Sequence, residues 1–243
     1  MKYNEMICRL CGKDKKLVES HIIPKKFYTP LFVEKQSPRI ISNKPGFYPK
    51  KSPSGIYDKI VCVECERIFS PWDDYAQKVL LTQNSKVEYL KYNDKKIAYI
   101  KTFDYARLKL FFISLLWRAT VSTHYFFKRI NVGPFEPQIK QMILDTNPGD
   151  PEEFAIAITK YDDPLGTITP DPYSYKWEGI NYYHFYLAGF IAYIKADKRP
   201  VPSFMKELIL CPEKPLIILI RDFRKSKDFK VIKKIVKKTI PKK

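Results

Sequence analysis

Two pairs of cysteines have the spacing of a metal site. Cys8 and Cys11 are two residues apart, and Cys62 and Cys65 repeat this spacing after an intervening stretch of 50 residues. The first pair has the form of a zinc knuckle, in which Gly12 relieves the positive φ of a tight turn. Four thiolates close a tetrahedral site and suit Zn²⁺ best, so we predict a structural zinc. Unrelated thiols and redox-active pairs are the alternatives, although no thioredoxin-like context surrounds either pair.

A histidine lies between the two cysteine pairs. His21 follows Cys11 by ten residues, in the sequence Ser20-His21-Ile-Ile-Pro. An imidazole beside a zinc knuckle can act as a general base that activates water. The alternative is a structural histidine that hydrogen-bonds a carbonyl group.

Together, the segments CRLCGKDKKLVESHIIPKKFY and VCVECERIF resemble the HNH family of ββα-metal endonucleases, in the variant stapled by a treble-clef zinc. The resemblance covers roughly residues 5–82, about a third of the chain. It implies that His21 deprotonates the water that attacks a phosphodiester. It also implies a catalytic Mg²⁺ or Mn²⁺ that stabilises the phosphate and the leaving oxygen.

The sequence departs from the family's pattern at two ligand positions. Ser20 stands where the family commonly has an acidic metal ligand, and a hydroxyl is a much poorer one. Glu66 replaces an Asn or His after the last cysteine, and its carboxylate is a competent ligand for Mg²⁺. Asp58 could orient the catalytic histidine. Two carboxylates further along the helix are alternative metal ligands or complements of the helix dipole: Asp73 and Asp74.

The charge of the chain points to a polyanionic partner. The formal net charge is +18, and residues 221–243 hold 11 basic and 2 acidic residues, half of the excess. The segment SKDFKVIKKIVKKTIPKK predicts an amphipathic basic helix, which could dock by its apolar face, contact a phosphate backbone or bind a membrane surface. The expected nucleic-acid-binding residues are Lys15, Lys16, Lys25, Lys26, Lys233, Lys234, Lys237 and Lys238.

The other elements follow from apolar periodicity. We predict a helix over residues 70–81, with Ser70 as its N-cap and Pro71 at its first position. Residues 103–127 predict a central buried helix, and residues 135–146 a further helix. Residues 86–101 predict a hairpin that turns at Asn93-Asp94, and residues 216–221 a strand. The aromatic stretch 173–194 indicates a packed sheet or, alternatively, a surface that stacks on bases.

The N-terminus lacks the apolar segment of a secretory signal, and no apolar run reaches the roughly 20 residues of a membrane span. We therefore expect a cytoplasmic protein with no integral membrane segment. The fifth cysteine, Cys211, lies in the apolar run LILCPEKPLIILI, which favours a buried thiol.

The sequence thus predicts an α+β protein. Residues 1–82 are expected to form an N-terminal treble-clef, ββα-metal zinc module, packed on a larger, helix-rich mixed α/β domain of residues 83–243. The first functional hypothesis is a metal-dependent endonuclease that cuts DNA rather than RNA, with a role in defence against foreign DNA by analogy alone. His21, Glu66 and Asp58 would be catalytic, with Glu66 and Ser20 as ligands of the divalent ion. The alternatives are a catalytically inactive, zinc-stapled nucleic-acid-binding protein and a membrane-surface protein.

Overall fold

A computed structural model describes residues 7–239 of the chain, except residues 33, 42–48, 53, 83–85 and 93. This part of the chain is mixed α/β. Its α-helices are α1 (Val63–Gln77), α2 (Tyr105–Val121), α3 (Glu136–Leu144) and α4 (Lys227–Thr239). Its strands are β1 (Leu17–His21), β2 (Arg39–Ile40), β3 (Lys50–Lys51), β4 (Tyr57–Cys62), β5 (Glu88–Tyr92), β6 (Lys95–Ile100), β7 (Ile156–Tyr161), β8 (Tyr173–Trp177), β9 (Ile180–Leu187), β10 (Phe190–Lys195) and β11 (Leu216–Arg221).

A seven-stranded sheet forms the larger part of the molecule. Its strand order is β5-β6-β11-β7-β10-β9-β8, and every neighbouring pair is antiparallel except β11 and β7. Alternating side chains face opposite sides: Ile156 and Ile158 enter the main core, whereas Ala157 faces a second cluster. This period of two is the normal pleat of a strand, and both faces are covered, so most of the central strands are apolar throughout.

Helix α2 lies at the centre of the main core. Its residues 108–119 are all buried, including two charged side chains, Lys109 and Arg118. A helix that is apolar around its circumference must be covered on every side. Here α1, α3 and one face of the sheet cover it. The prediction of a central buried helix is confirmed, although the α-helix ends at Val121 and a separate 3₁₀ turn spans Tyr125–Phe127.

The N-terminal part contains an antiparallel pair of strands followed by a helix. β1 pairs with β4 in antiparallel register, with Ser20 opposite Asp58 and His21 opposite Tyr57. β4 leads directly into α1, so the three elements have the order β-β-α. Residues 39–40 and 50–51 form a short two-stranded antiparallel ladder.

The helix predicted to begin at Ser70 begins seven residues earlier, at Val63. Pro71 therefore lies inside the helix, where it cannot donate the usual hydrogen bond. It lies at an exposed position, and the neighbouring Phe69 and Trp72 are buried in the core. Packing on both sides of the proline thus overrides its local preference for the first turn.

Three further sequence expectations are answered by the fold. The antiparallel pairing of the hairpin predicted for residues 86–101 is confirmed, with Asn93 of its turn outside the described residues, and the strand Leu216–Arg221 is confirmed. The expectation of a buried Cys211 is wrong: its side chain is half-buried and lines a surface cavity of about 330 Å³.

A continuous hydrophobic core joins residues on both sides of the predicted boundary at residue 82, from Leu10 and Phe69 to Phe112 and Phe185. The division into two domains stays a prediction. Within the described residues, none of the helices combines the length and the apolar character that crossing a bilayer requires.

Candidate functional site

The four cysteines predicted as ligands converge at one place. The sulfur atoms of Cys8, Cys11, Cys62 and Cys65 all lie within 4.8 Å of one another, and those of Cys11 and Cys62 are 4.0 Å apart. Four sulfurs about 2.3 Å from a tetrahedral zinc are about 3.8 Å apart from each other. The cluster is therefore close enough to hold a zinc ion, and its all-thiolate donor set is the one that zinc prefers.

The local fold of the knuckle explains how its two cysteines face one centre. The N–H of Gly12 donates to the Cys8 carbonyl at 2.8 Å, and the N–H of Cys8 donates to the Lys13 carbonyl at 3.0 Å. Gly12 has a φ of +71°, and a Cβ at this position would meet no atom within 4 Å. The glycine is thus selected by the backbone angle and not by lack of space.

Backbone dipoles favour the thiolate form in part of this cluster. Burial acts to raise the pKa of the Cys8 thiol, but hydrogen bonds from the backbone of Cys11 and Cys62 lower this pKa to about 7. The N–H of Cys62 donates to the Cys8 sulfur at 3.3 Å. Burial raises the pKa of Cys65, so a cation that binds there would displace the thiol proton.

His21 lies at the end of β1 with its ring orientation fixed. Its Nε2 is 2.9 Å from the backbone carbonyl oxygen of Ser54, and its ring makes an edge contact with Tyr57 at a centroid distance of 5.9 Å. A carbonyl oxygen can only accept a hydrogen bond, so Nε2 carries the hydrogen. In the neutral imidazole Nδ1 is then the atom with the lone pair, which is the arrangement a general base needs.

Ser20 and Glu66, the two predicted ligands of a catalytic cation, are in direct contact. The Ser20 hydroxyl donates to a Glu66 carboxylate oxygen. Ser20 is fully buried on β1, and Glu66 is half-buried in the first turn of α1. The strand pairing and the start of α1 therefore bring together two oxygen ligands that are 46 positions apart in the chain.

Asp58 makes its contacts with residues at the end of α2. Its carboxylate accepts hydrogen bonds from the Ser122 hydroxyl at 2.9 Å and from the Thr123 N–H at 2.7 Å. Burial acts to raise the pKa of Asp58, but these hydrogen bonds lower it overall. Among the described residues, the group that holds the His21 ring is the Ser54 carbonyl, a backbone atom that residue types alone do not reveal.

Asp73 forms an ion pair with the fully buried Arg118 and is itself partly buried. Its two carboxylate oxygens accept hydrogen bonds from the Arg118 guanidinium at 2.8 and 3.0 Å. Burial raises the pKa of Asp73, against the opposing charge of Arg118. Asp74 is exposed and lies 3.5 Å from Lys26. The two carboxylates considered as alternative metal ligands thus have cationic partners of their own.

Arg118 is the residue of this region that the sequence reasoning missed. Its side chain is fully buried and also donates to the backbone carbonyl of His21 at 2.9 Å. The available signal was a basic residue inside an otherwise apolar helix, since a buried guanidinium must find acidic or carbonyl partners. The partners themselves could not be read from the sequence.

The two other histidines have structural partners. His124 Nδ1 accepts from the Phe126 N–H at 3.2 Å and caps a short helix. His184 Nδ1 lies 3.1 Å from the Tyr173 hydroxyl, and burial lowers its pKa to about 4.

The predicted nucleic-acid-binding lysines form two groups. In the N-terminal group, Lys15 is paired with Glu64 at 3.0 Å, while Lys16 and Lys25 are exposed. The second group lies on α4, which docks on the large sheet through Phe229 and Ile232. The four predicted lysines of that helix are all exposed: Lys233, Lys234, Lys237 and Lys238.

Comparisons with protein-family models, curated proteins and solved structures find no match to this chain. The site is therefore defined by its own geometry: four convergent cysteines beside a histidine, a serine and a glutamate on a ββα frame.

Proposed function

We propose that this protein is an HNH-like, zinc-stapled endonuclease that hydrolyses phosphodiester bonds in DNA with the help of a divalent cation. The observation that carries the proposal is His21, held by the Ser54 carbonyl so that Nδ1 is its basic atom. His21 directly follows Ser20 in β1, and Ser20 hydrogen-bonds Glu66. The strands β1 and β4 lead into α1, which begins at the cysteine cluster.

The chemistry follows from these side chains. His21 Nδ1 accepts a proton from a water molecule as that water's oxygen forms a bond to phosphorus. The bond from phosphorus to the leaving sugar oxygen then breaks, and this oxygen takes a proton from solvent. Glu66 and the Ser20 hydroxyl would hold Mg²⁺ or Mn²⁺, which supplies Lewis-acid stabilisation of the negative charge on the phosphate.

The zinc in this proposal is structural. Four protein sulfurs fill a tetrahedral coordination sphere and leave no open position for a substrate. The ion would tie the knuckle at Cys8 and Cys11 to the end of β4 and the start of α1. It would thereby stabilise the frame that carries His21 and Glu66.

The charge distribution supports a nucleic acid as substrate. The chain has a net charge of +18, and α4 presents exposed lysines from a docked position. Such a surface binds the phosphate backbone without sequence preference and brings the scissile bond to the site by electrostatic attraction.

The proposal is tested by incubating the zinc-loaded protein with supercoiled plasmid, single-stranded DNA and RNA in Mg²⁺ or Mn²⁺, with EDTA controls. We expect cation-dependent cleavage of DNA that a His21→Ala variant loses by at least about 100-fold, the usual contribution of general base catalysis. A His124→Asn variant, which keeps an acceptor for the helix cap, is the matched control and should cleave normally. Equal cleavage by the His21→Ala variant would refute the assigned base.

One observation favours a second candidate, a catalytically inactive nucleic-acid-binding protein. The residue before His21 is a buried serine, and its hydroxyl already hydrogen-bonds Glu66. A neutral hydroxyl binds Mg²⁺ more weakly than the carboxylate common in the HNH family at this position. Salt-sensitive DNA binding without cleavage would support this candidate. A Ser20→Asp variant that then gained cleavage would identify the missing ligand as the cause.

A further inference from the structure

Two side-chain contacts connect the end of α2 to the catalytic end of the ββα frame. Arg118 donates from Nη1 to the His21 carbonyl at 2.9 Å. Four and five residues further on, just after the end of α2, the Ser122 hydroxyl and the Thr123 N–H donate to Asp58 on β4. Because Ser20 pairs with Asp58 and His21 with Tyr57, the end of α2 contacts both strands at adjacent positions of their pairing.

We propose that Arg118 is a positioning residue for the His21 base. The inference rests on the proposed nuclease function and extends it to residues 83–243, which would complete the active site and not merely accompany it. Arg118 does not touch the reacting atoms. It acts through the backbone of His21, while the Ser54 carbonyl orients the ring.

The geometry of Arg118 explains why an arginine is required there. Its Nη1 donates hydrogen bonds to the His21 carbonyl and to one carboxylate oxygen of Asp73. Its Nη2 donates to the other oxygen of Asp73 at 2.8 Å. Its guanidinium lies over the Phe69 ring at 4.9 Å from the centroid. A lysine ammonium has the same charge but lacks the planar fork, so it cannot make the paired contacts with Asp73 and reach His21 together.

Burial makes this arrangement rigid. Arg118 is fully buried, and Ser114 one turn earlier also accepts from it through its hydroxyl at 3.3 Å. A buried guanidinium with all its partners in place has one favourable arrangement, so the His21 carbonyl has a defined position. In catalysis, a displacement of about 1 Å can reduce the rate about 100-fold.

The test is the Arg118→Lys variant, with Arg107→Lys on the same helix as the matched control. Arg107 is exposed and pairs with Asp104 at 3.3 Å. For Arg118→Lys we expect unchanged zinc content and plasmid KM, with kcat about 10- to 100-fold lower. For Arg107→Lys we expect wild-type values. A wild-type kcat for a folded Arg118→Lys protein would overturn the proposal.

A spectroscopic measurement separates this inference from the nuclease proposal itself. With three histidines in the chain, ¹⁵N-labelled imidazole signals can be assigned with single His variants. We expect His21 of the wild-type protein to be the Nε2–H tautomer and that of Arg118→Lys to be a mixture of tautomers. A mixture in a chain that never cleaves DNA would support the positioning contact and refute only the nuclease. An unchanged tautomer would refute the positioning role.

A second variant covers the case in which Arg118→Lys does not fold. The double variant Ser122→Ala, Thr123→Val removes two hydroxyl contacts of Asp58 but keeps the contact from the Thr123 N–H. It leaves the buried guanidinium intact. We expect a several-fold fall in kcat with unchanged KM and zinc content. An unchanged kcat would show that the end of α2 does not position the site.

Discussion

Removal of the zinc site should destabilise the protein by a predictable amount. The perturbation is Cys65→Ser, with Cys211→Ser as the matched control because Cys211 lies outside the cluster. The ion would cross-link Cys11 to Cys62, which are 51 positions apart. In the chain-entropy model of a cross-link, closing a loop of about 50 residues stabilises the folded state by about 4 kcal/mol.

This figure counts only the cross-link. Loss of the ion also leaves three thiols that must be protonated or solvated in the core, so the effect should exceed the estimate. For a protein of this size, about 4 kcal/mol corresponds to a fall in Tm of about 8–16 °C. We expect Cys65→Ser to lose the bound zinc and to show at least this change, whereas Cys211→Ser should keep both the zinc and the wild-type Tm.

The assay combines elemental analysis of the purified protein with thermal and urea unfolding, both followed by fluorescence. Chelation of the wild-type protein should reproduce the Cys65→Ser result, and added Zn²⁺ should reverse it. Since thiolates are the ligands, affinity for zinc should also fall as the pH is lowered, because protons compete with the ion for the sulfurs. A zinc-free protein that unfolds at the same urea concentration as the zinc-loaded one would refute the structural role.

Three further outcomes follow from the described contacts. Asp73→Ala should lower the free energy of unfolding by about 3–5 kcal/mol, because it leaves the buried Arg118 guanidinium without its counter-charge; urea unfolding should show that a double replacement of both residues by apolar ones costs less. Burial lowers the pKa of Lys109 to about 7, so the unfolded chain binds this proton more tightly. The free energy of unfolding should therefore rise between pH 7 and pH 10, by on the order of 4 kcal/mol, and Lys109→Met should abolish that rise in unfolding curves measured across this range. Replacement of Lys233, Lys234, Lys237 and Lys238 by Gln should reduce the slope of log K against log salt for DNA binding by up to about 4, measured by fluorescence anisotropy; an unchanged slope would exclude these lysines from the interface.

Local signals predicted much of the fold. The apolar residues around the whole circumference of residues 108–117 indicated a buried helix, and α2 is that helix. The turn residues at 93–94 indicated the hairpin of β5 and β6. These features depend on neighbours within one or two turns, which the sequence displays directly.

The predictions that differ from the structure involve packing between distant segments. Pro71 favours a helix start, but the buried Phe69 and Trp72 extend α1 through it. Cys211 lies in an apolar run, but the path of the chain brings its thiol to the surface. In both cases the packing of the folded chain outweighs the preference that the local sequence indicates.

The sequence by itself determined the four cysteines that converge on the candidate zinc site, the place of His21 between them and the excess of positive charge. These depend on residue type and spacing, because thiolates two residues apart in a tight turn must face one centre. The tertiary structure alone decided which groups surround the histidine: the Ser54 carbonyl at its ring, Arg118 at its backbone, and the end of α2 at Asp58. These partners are backbone atoms or residues up to 97 positions away. Each partner is determined by which acceptors and donors the folded chain brings next to a buried charged group. No local sequence pattern shows that pairing.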